Sequence, residues 1–185
     1  GWRRERFLSQ MREWVGRGAE IADPYDPALV RSAPREIRHT LADALAEEST
    51  ARTLSELGIA FTIWHDVATS DPDRKLDHIV LGPTGLFAVL SEDFGSPVKT
   101  RKSELIGEGV AGERPVHYLA GMARQLARQL GVRFTGLAVV LPDGHLDESL
   151  VALGTVRGMP AFAVQQSALG MLLRWPAGRH AHRRQ

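Results

Sequence analysis

The 185-residue chain contains no cysteine. That absence excludes disulfide cross-links, thiolate zinc sites and cysteine nucleophiles together. Lysine is scarce as well: 20 of the 23 basic side chains are arginine, and the exceptions are Lys75, Lys99 and Lys102. Arginine's planar fork suits phosphate recognition, although a GC-rich coding bias gives the same skew without any function. Neither sign of charge dominates. With 23 basic and 22 acidic residues, a histone-like polycation is excluded while a local basic patch is not. No apolar run approaches the roughly 18 residues needed to cross a bilayer. What is present is ordinary for a folded domain: 43% hydrophobic and 24% charged residues, wrong for a disordered chain. The length suits one domain of roughly 100–200 residues with a terminal extension. The chain begins at Gly1, which leaves an upstream signal or anchor open.

Periodicity organises the chain into helices and strands. Trp2 to Arg17 carries Phe7, Leu8, Met11, Trp14 and Val15 at helical spacing, with Arg3, Arg4, Arg6, Arg12 and Arg17 assigned to a solvated face. A loop rich in Asp and Pro follows, ending at Pro27. A second helix is predicted from about Pro34 to Leu57, stopped by Gly58. Three strands are predicted at Ile59–Trp64, Lys75–Leu81 and Leu86–Glu92, the last two joined by Gly82-Pro-Thr-Gly85 as a hairpin. After a polar stretch, 95–112, come a helix at Val116–Leu130, strands at Thr135–Leu141 and Ala161–Val164, and a helix at Ser167–Leu173. This order predicts an α/β fold, a mixed central sheet with an antiparallel hairpin flanked by helices, plus an N-terminal helical extension. The expected organisation is a helical extension over 1–45, an α/β domain over 46–175 and a basic, unstructured tail over 176–185.

Several local features receive structural readings. His65-Asp66 reads as a turn, and Trp64, Phe87 and Tyr118 as core. Gly107 to Gly112 lacks the lysine of a phosphate loop and reads as a flexible connection. His180 and His182 read as part of the tail rather than as metal ligands.

The chemistry lies in Leu76-Asp-His-Ile-Val-Leu-Gly-Pro-Thr-Gly-Leu-Phe87, where a carboxylate interrupts an otherwise apolar strand. If Gly82 to Gly85 is the whole loop, Leu81 faces Leu86, Asp77 faces Leu90, and Lys75 faces Glu92. Asp77, Leu90 and Glu92 then share a face, with Asp77 and Glu92 close enough to reach a common ion. His78 points to the opposite face with Leu76 and Val80.

This segment resembles the nuclease-related domain (NERD) family, a branch of the PD-(D/E)XK nuclease superfamily, whose fold is restriction-endonuclease-like. Glu47-Glu-Ser-Thr-Ala-Arg52 supports the likeness, which extends over roughly Ala46 to Leu173. The resemblance implies a divalent-metal site built from a helix Glu, matched by Glu47, a hairpin Asp, matched by Asp77, and an acid on the next strand. A lysine two residues beyond that acid would orient the attacking water. Here Leu90 stands at the acid's position and Glu92 at the lysine's, and Tyr118 stands where a Gln is frequent.

Two readings follow. In the first, the site has decayed, a Lys75–Glu92 ion pair accounts for both residues, and the domain binds nucleic acid or protein without catalysis. In the second, the ligands have migrated. Glu47, Asp77 and Glu92 then hold Mg²⁺ in a nuclease, assisted by Lys99, Arg101 or Lys102, which are also the candidate nucleic-acid contacts. A third reading, from another class, is an interaction domain of a larger membrane-associated protein. The expected compartment is the cytoplasm. The charge is uneven: residues 18–173 hold 14 basic and 20 acidic side chains, so the basicity is concentrated at the two ends.

Overall fold

The computed structural model describes residues 1–16 and 18–175; the expected basic tail, with His180 and His182, lies outside them, as does Arg17. Among the described residues, five α-helices surround one mixed sheet and a small hairpin. The helices are α1 (Trp2–Val15), α2 (Pro27–Ser32), α3 (Arg35–Ser55), α4 (Pro115–Leu130) and α5 (Leu169–Arg174). The strands are β1 (Thr62–Ala68), β2 (Lys75–Gly82), β3 (Gly85–Ser91), β4 (Lys99–Arg101), β5 (Glu104–Ile106), β6 (Gly136–Leu141), β7 (Leu150–Val156) and β8 (Met159–Gln165). The main sheet runs β1-β2-β3-β6-β8-β7, and β4 and β5 form a separate two-stranded ribbon. The β1/β2, β2/β3 and β7/β8 pairs are antiparallel, while β3/β6 and β6/β8 are parallel. Among the described residues no helix is long and apolar enough to cross a membrane.

Alternation along the central strands divides the core in two. Ile79, Ala88, Leu90, Leu137 and Val139 pack with Leu119, Ala123 and Leu126 of α4. Val80, Phe87, Val89, Ala138 and Phe162 pack with Leu54 of α3 and Leu169 and Leu172 of α5. A third cluster joins Phe7 and Met11 of α1 to Ile37 of α3. The residue-45 boundary expected between extension and domain falls inside α3, a continuous helix from Arg35 to Ser55. At α4, the N-terminal N–H groups of Val116 and His117 donate to the Glu104 carboxylate at 2.9 and 3.0 Å, which fixes the β4–β5 ribbon to that helix.

The β2–β3 hairpin has the predicted register, with Leu81 opposite Leu86 and Gly82 opposite Gly85. Its turn is clamped to the start of β6: Thr135 Oγ1 accepts the Leu86 N–H at 3.0 Å, and Thr135 N–H donates to the Leu86 carbonyl at 2.7 Å. Gly85 has φ of 132°, and a Cβ there would stand 1.9 Å from Thr135 Oγ1. Gly85→Ala therefore combines backbone strain with a clash, and an expected loss of about 2 kcal/mol in urea unfolding checks it.

Other expectations need correction. Strand β1 starts at Thr62 and runs through His65-Asp66 to Ala68, so that dipeptide is not a turn; Asp66 instead takes a positive φ of 51° within the strand. Ile59 is fully exposed and Trp64 is 46% exposed, so neither belongs to the core. Leu76 joins the same cluster as Ile79 rather than that of Val80, so strict alternation fails at this end of β2. The polar stretch 95–112 hides the β4–β5 ribbon, and α2 and β7 were not predicted; these elements are short or lack clean periodicity.

Candidate functional site

Helix α3 carries polar residues along its buried stripe. Asp43, Glu47, Thr50 and Leu54 are all buried, and their spacing places them in line along one face. Thr50 pins this face to the sheet: the Oγ atoms of Thr50 and Ser91 lie 2.7 Å apart, where β3 ends. One turn earlier Glu47 comes to lie near Asp77. One turn earlier again, Asp43 accepts the Asp93 N–H at 2.8 Å, and the neighbouring Glu92 N–H donates to Val140 O at 3.0 Å. The helix and the end of the hairpin thus converge four carboxylates.

Arg3 of α1 enters the middle of this group. It sits on the helix face that also carries Phe7 and Met11, and all three are buried. Its Nε and Nη2 donate to Asp77 Oδ1 and Oδ2 at 3.0 and 3.1 Å, a bidentate fork. Nη2 also reaches Glu92 Oε1 at 3.4 Å, and Nη1 lies 2.9 Å from Asp43 Oδ2. Asp77 is fully buried. It accepts two further hydrogen bonds, from Trp2 Nε1 at 2.9 Å and from the Ser91 N–H at 2.8 Å. Burial alone would lower the pKa of Arg3, but Asp77, Glu92 and Asp43 outweigh it and hold the guanidinium charged.

For Glu47 and Asp43 a raised pKa favours the neutral form instead. Burial, then the charge of Asp77, then a hydrogen bond with Asp66 push Glu47 up to about 8. Glu47 Oε2 and Asp66 Oδ1 are both sealed from solvent without an N–H partner, and a proton on Glu47 satisfies them. Burial and then the charge of Glu92 raise Asp43 as well. Glu47 also packs directly on Gly1, where a Cβ would stand 2.3 Å from Glu47 Oε1.

No family model, curated protein or solved structure matches the chain.

Of the predicted residues, Asp77 and Glu92 meet through Arg3, and Glu47 lies beside Asp77. The expected Lys75–Glu92 pair does not form: Lys75 is exposed on β2 opposite Ala68, and Glu92 faces Arg3 and His39. Lys99, Arg101 and Lys102 lie on the β4–β5 ribbon and its turn, where Lys99 pairs with Asp147 at 2.7 Å. None of these three is among the cations that touch the carboxylates. Arg3 was assigned to the solvated face of its helix, and the structure places it inside.

A hard divalent ion such as Mg²⁺ requires near-octahedral oxygens at about 2.0–2.1 Å. The residues present do not fit it between Glu47, Asp77 and Glu92. A carboxylate has about four lone-pair sites, and Asp77 uses both oxygens twice, on Arg3, Trp2 and Ser91. Leu90 is 2% exposed within the apolar core and supplies no oxygen. Glu47 is neutral near pH 7, and the guanidinium occupies the space between the other two acids.

His78 is fully buried behind this site, and its Nδ1 lies 2.8 Å from His65 Nδ1. Burial pushes His78 down to about 4, so it is neutral at physiological pH. One of the two Nδ1 atoms must then carry the hydrogen.

Proposed function

We propose that this domain is a nuclease-related scaffold that binds nucleic acid without cutting it. The observation that carries the reading is the saturated Asp77 carboxylate: the residue that resembles a nuclease's metal ligand spends its full accepting capacity on groups of its own chain. Arg3 supplies the positive charge that a metal would otherwise bring, and it does so as a fixed part of the fold. A scaffold in this condition retains surface and shape but leaves Asp77 unable to ligate a phosphodiester-polarising ion.

Contact with nucleic acid is assigned to α1, whose Arg12 is exposed and whose Arg6 is half-buried at the rim of the same site. The acidic balance of residues 18–173 disfavours a phosphate backbone over most of the surface, which makes such binding local and salt-sensitive. Labelled single- and double-stranded DNA and RNA, titrated with the full chain in Mg²⁺ or Mn²⁺, test this by fluorescence anisotropy and gel. Binding without cleavage is expected, weakening roughly tenfold between 50 and 200 mM salt if about two phosphates are neutralised. Arg6→Glu with Arg12→Glu abolishes it, whereas Arg101→Glu with Lys102→Glu has the smaller effect. Metal-dependent cleavage that disappears with Asp77→Ala overturns the reading in favour of a nuclease with migrated ligands. No binding even at low salt leaves a protein partner as the occupant of this scaffold.

A further inference from the structure

On the outer side of Arg3, α3 and the segment after β3 bring three ligand atoms of different chemistry together. His39, Asp43 and Glu92 each offer one ligand atom, and these atoms all lie within 4.8 Å of one another. His39 and Asp43 are one turn apart on α3, with Nε2 and Oδ2 at 3.2 Å, and His39 Nε2 stands 3.9 Å from Glu92 Oε2. Ligands bound to one tetrahedral ion at about 2.0–2.2 Å are separated by about 3.3–3.6 Å, so small side-chain adjustments bring all three onto one centre.

The geometry points to a binding site for a divalent transition-metal ion of the Zn²⁺ or Mn²⁺ class at His39, Asp43 and Glu92. It is distinct from the Glu47–Asp77 pair, because neither of those residues contributes a ligand atom to it.

A second observation is independent of the clustering. The Glu92 side chain is 10% exposed, and its Oε2 is sealed from solvent and accepts no hydrogen bond from any N–H group. A buried carboxylate oxygen in that condition calls for a proton or a cation. The surroundings are those of a held ligand set. Asp43 Oδ1 is fixed by the Asp93 N–H at 2.8 Å. The His39 ring stacks on Phe94 with centroids 5.8 Å apart. Groups that orient ligands in this way tune metal affinity. A cavity of about 120 Å³ opens onto the cluster, and beyond the three ligands it is lined by Glu36 and Glu113 and also by Arg3, Arg6 and Arg74. His39, 29% exposed, stands at its entrance. One histidine nitrogen with two carboxylates suits Zn²⁺ or Mn²⁺ better than Ca²⁺ or Mg²⁺. The ion would bind beside Arg3, whose Nη1 reaches Asp43 Oδ2 at 2.9 Å, and leave the Arg3 fork on Asp77 in place.

Calorimetric titration of Zn²⁺ and of Mn²⁺ tests the site, using the full chain with His180→Ala and His182→Ala so that those two histidines do not compete. One ion per chain is expected, with a raised melting temperature. His39→Gln and Asp43→Asn each weaken binding roughly tenfold or more, while Glu47→Gln leaves it unchanged. His39 lies at the surface of α3, and circular dichroism of His39→Gln establishes that the variant folds. Three results would each overturn the proposal. One is no saturable binding, which leaves a shared proton as the occupant. Another is wild-type affinity in His39→Gln. The third is binding that emerges only with Arg3→Ala, which places the ion on Asp77 instead.

Discussion

Arg3→Ala is expected to cost about 3–5 kcal/mol of folding stability, the range for removing one partner of a buried ion pair. The size follows from what is left behind. Asp77 is fully buried and would keep only the Trp2 and Ser91 hydrogen bonds, while Asp43 and Glu92 would lose their guanidinium contacts at 2.9 and 3.4 Å. An uncompensated carboxylate in an apolar interior is worth several times an ordinary hydrogen bond. Arg4 provides the control on the same helix. It makes equally good contacts, to Glu48 at 2.6 and 2.7 Å, but both side chains are about a third exposed, so Arg4→Ala should cost no more than about 1 kcal/mol. Urea midpoints of the two variants decide the matter. In the double variant Arg3→Ala with Asp77→Asn the loss should be smaller than the sum of the single losses, because the orphaned charge has gone. Equal costs for Arg3→Ala and Arg4→Ala would mean that the guanidinium does not hold the site together.

How much of this was legible in the sequence differs between fold and site. The β2–β3 register was, because a glycine-bounded turn between two apolar runs fixes which residues face each other. The sheet's mixed character was also legible, since β3, β6 and β8 are short apolar runs separated by long connections. Edge and ribbon elements were not. Strand β7 reads Leu150-Val-Ala-Leu-Gly-Thr-Val156, with a register irregularity between Ala152 and Thr155 that breaks period two. At the site, Asp77 was found because a carboxylate in an apolar strand violates the pattern around it. Arg3 carries the same signal in helical form, since it continues the stripe of Phe7 and Met11 at intervals of four. Five arginines on one amphipathic segment concealed it: an abundance of one residue type makes the buried copy look like its solvated neighbours. Asp43 and Glu47 extend the α3 stripe toward Leu54 in the same way. A buried stripe on each of two helices, one offering a cation and the other carboxylates, is a complementarity that single-helix periodicity cannot display. His39 and Asp66 depend on tertiary approach and leave no sequence signal.

The second large effect is on the pH profile. Stability is expected to fall as pH rises from about 6.5 to 8.5. Glu47, pushed up to about 8 by burial and by its acidic neighbours, keeps in the folded state a proton that the unfolded chain has released above the ordinary glutamate value near 4.3. Asp43 is raised in the same direction by burial and Glu92. Where the folded state holds the extra proton, each pH unit removes about 1.4 kcal/mol of stability per group. His78 has the opposite sign. Burial lowers it to about 4, so between about pH 4 and 6.5 the unfolded chain binds a proton that the folded state refuses, and stability from this group rises with pH. Below pH 6.5 His78 offsets the fall from one of the two carboxyls. Above it His78 is neutral in both states and the carboxyls act unopposed, giving a loss of about 2–4 kcal/mol over the next two pH units. Glu47→Gln, which imitates the protonated acid, should remove the Glu47 share of that descent and leave the Asp43 share and the His78 effect below pH 6.5 intact. Urea unfolding at pH 5.5, 7 and 8.5 for the wild type and this variant measures both limbs. A profile that stays level or climbs above pH 7 would show that Glu47 enters the fold ionised. Arg3 would then have to neutralise Glu47 along with Asp77 and Glu92, although the contacts it makes go to Asp77, Glu92 and Asp43 instead.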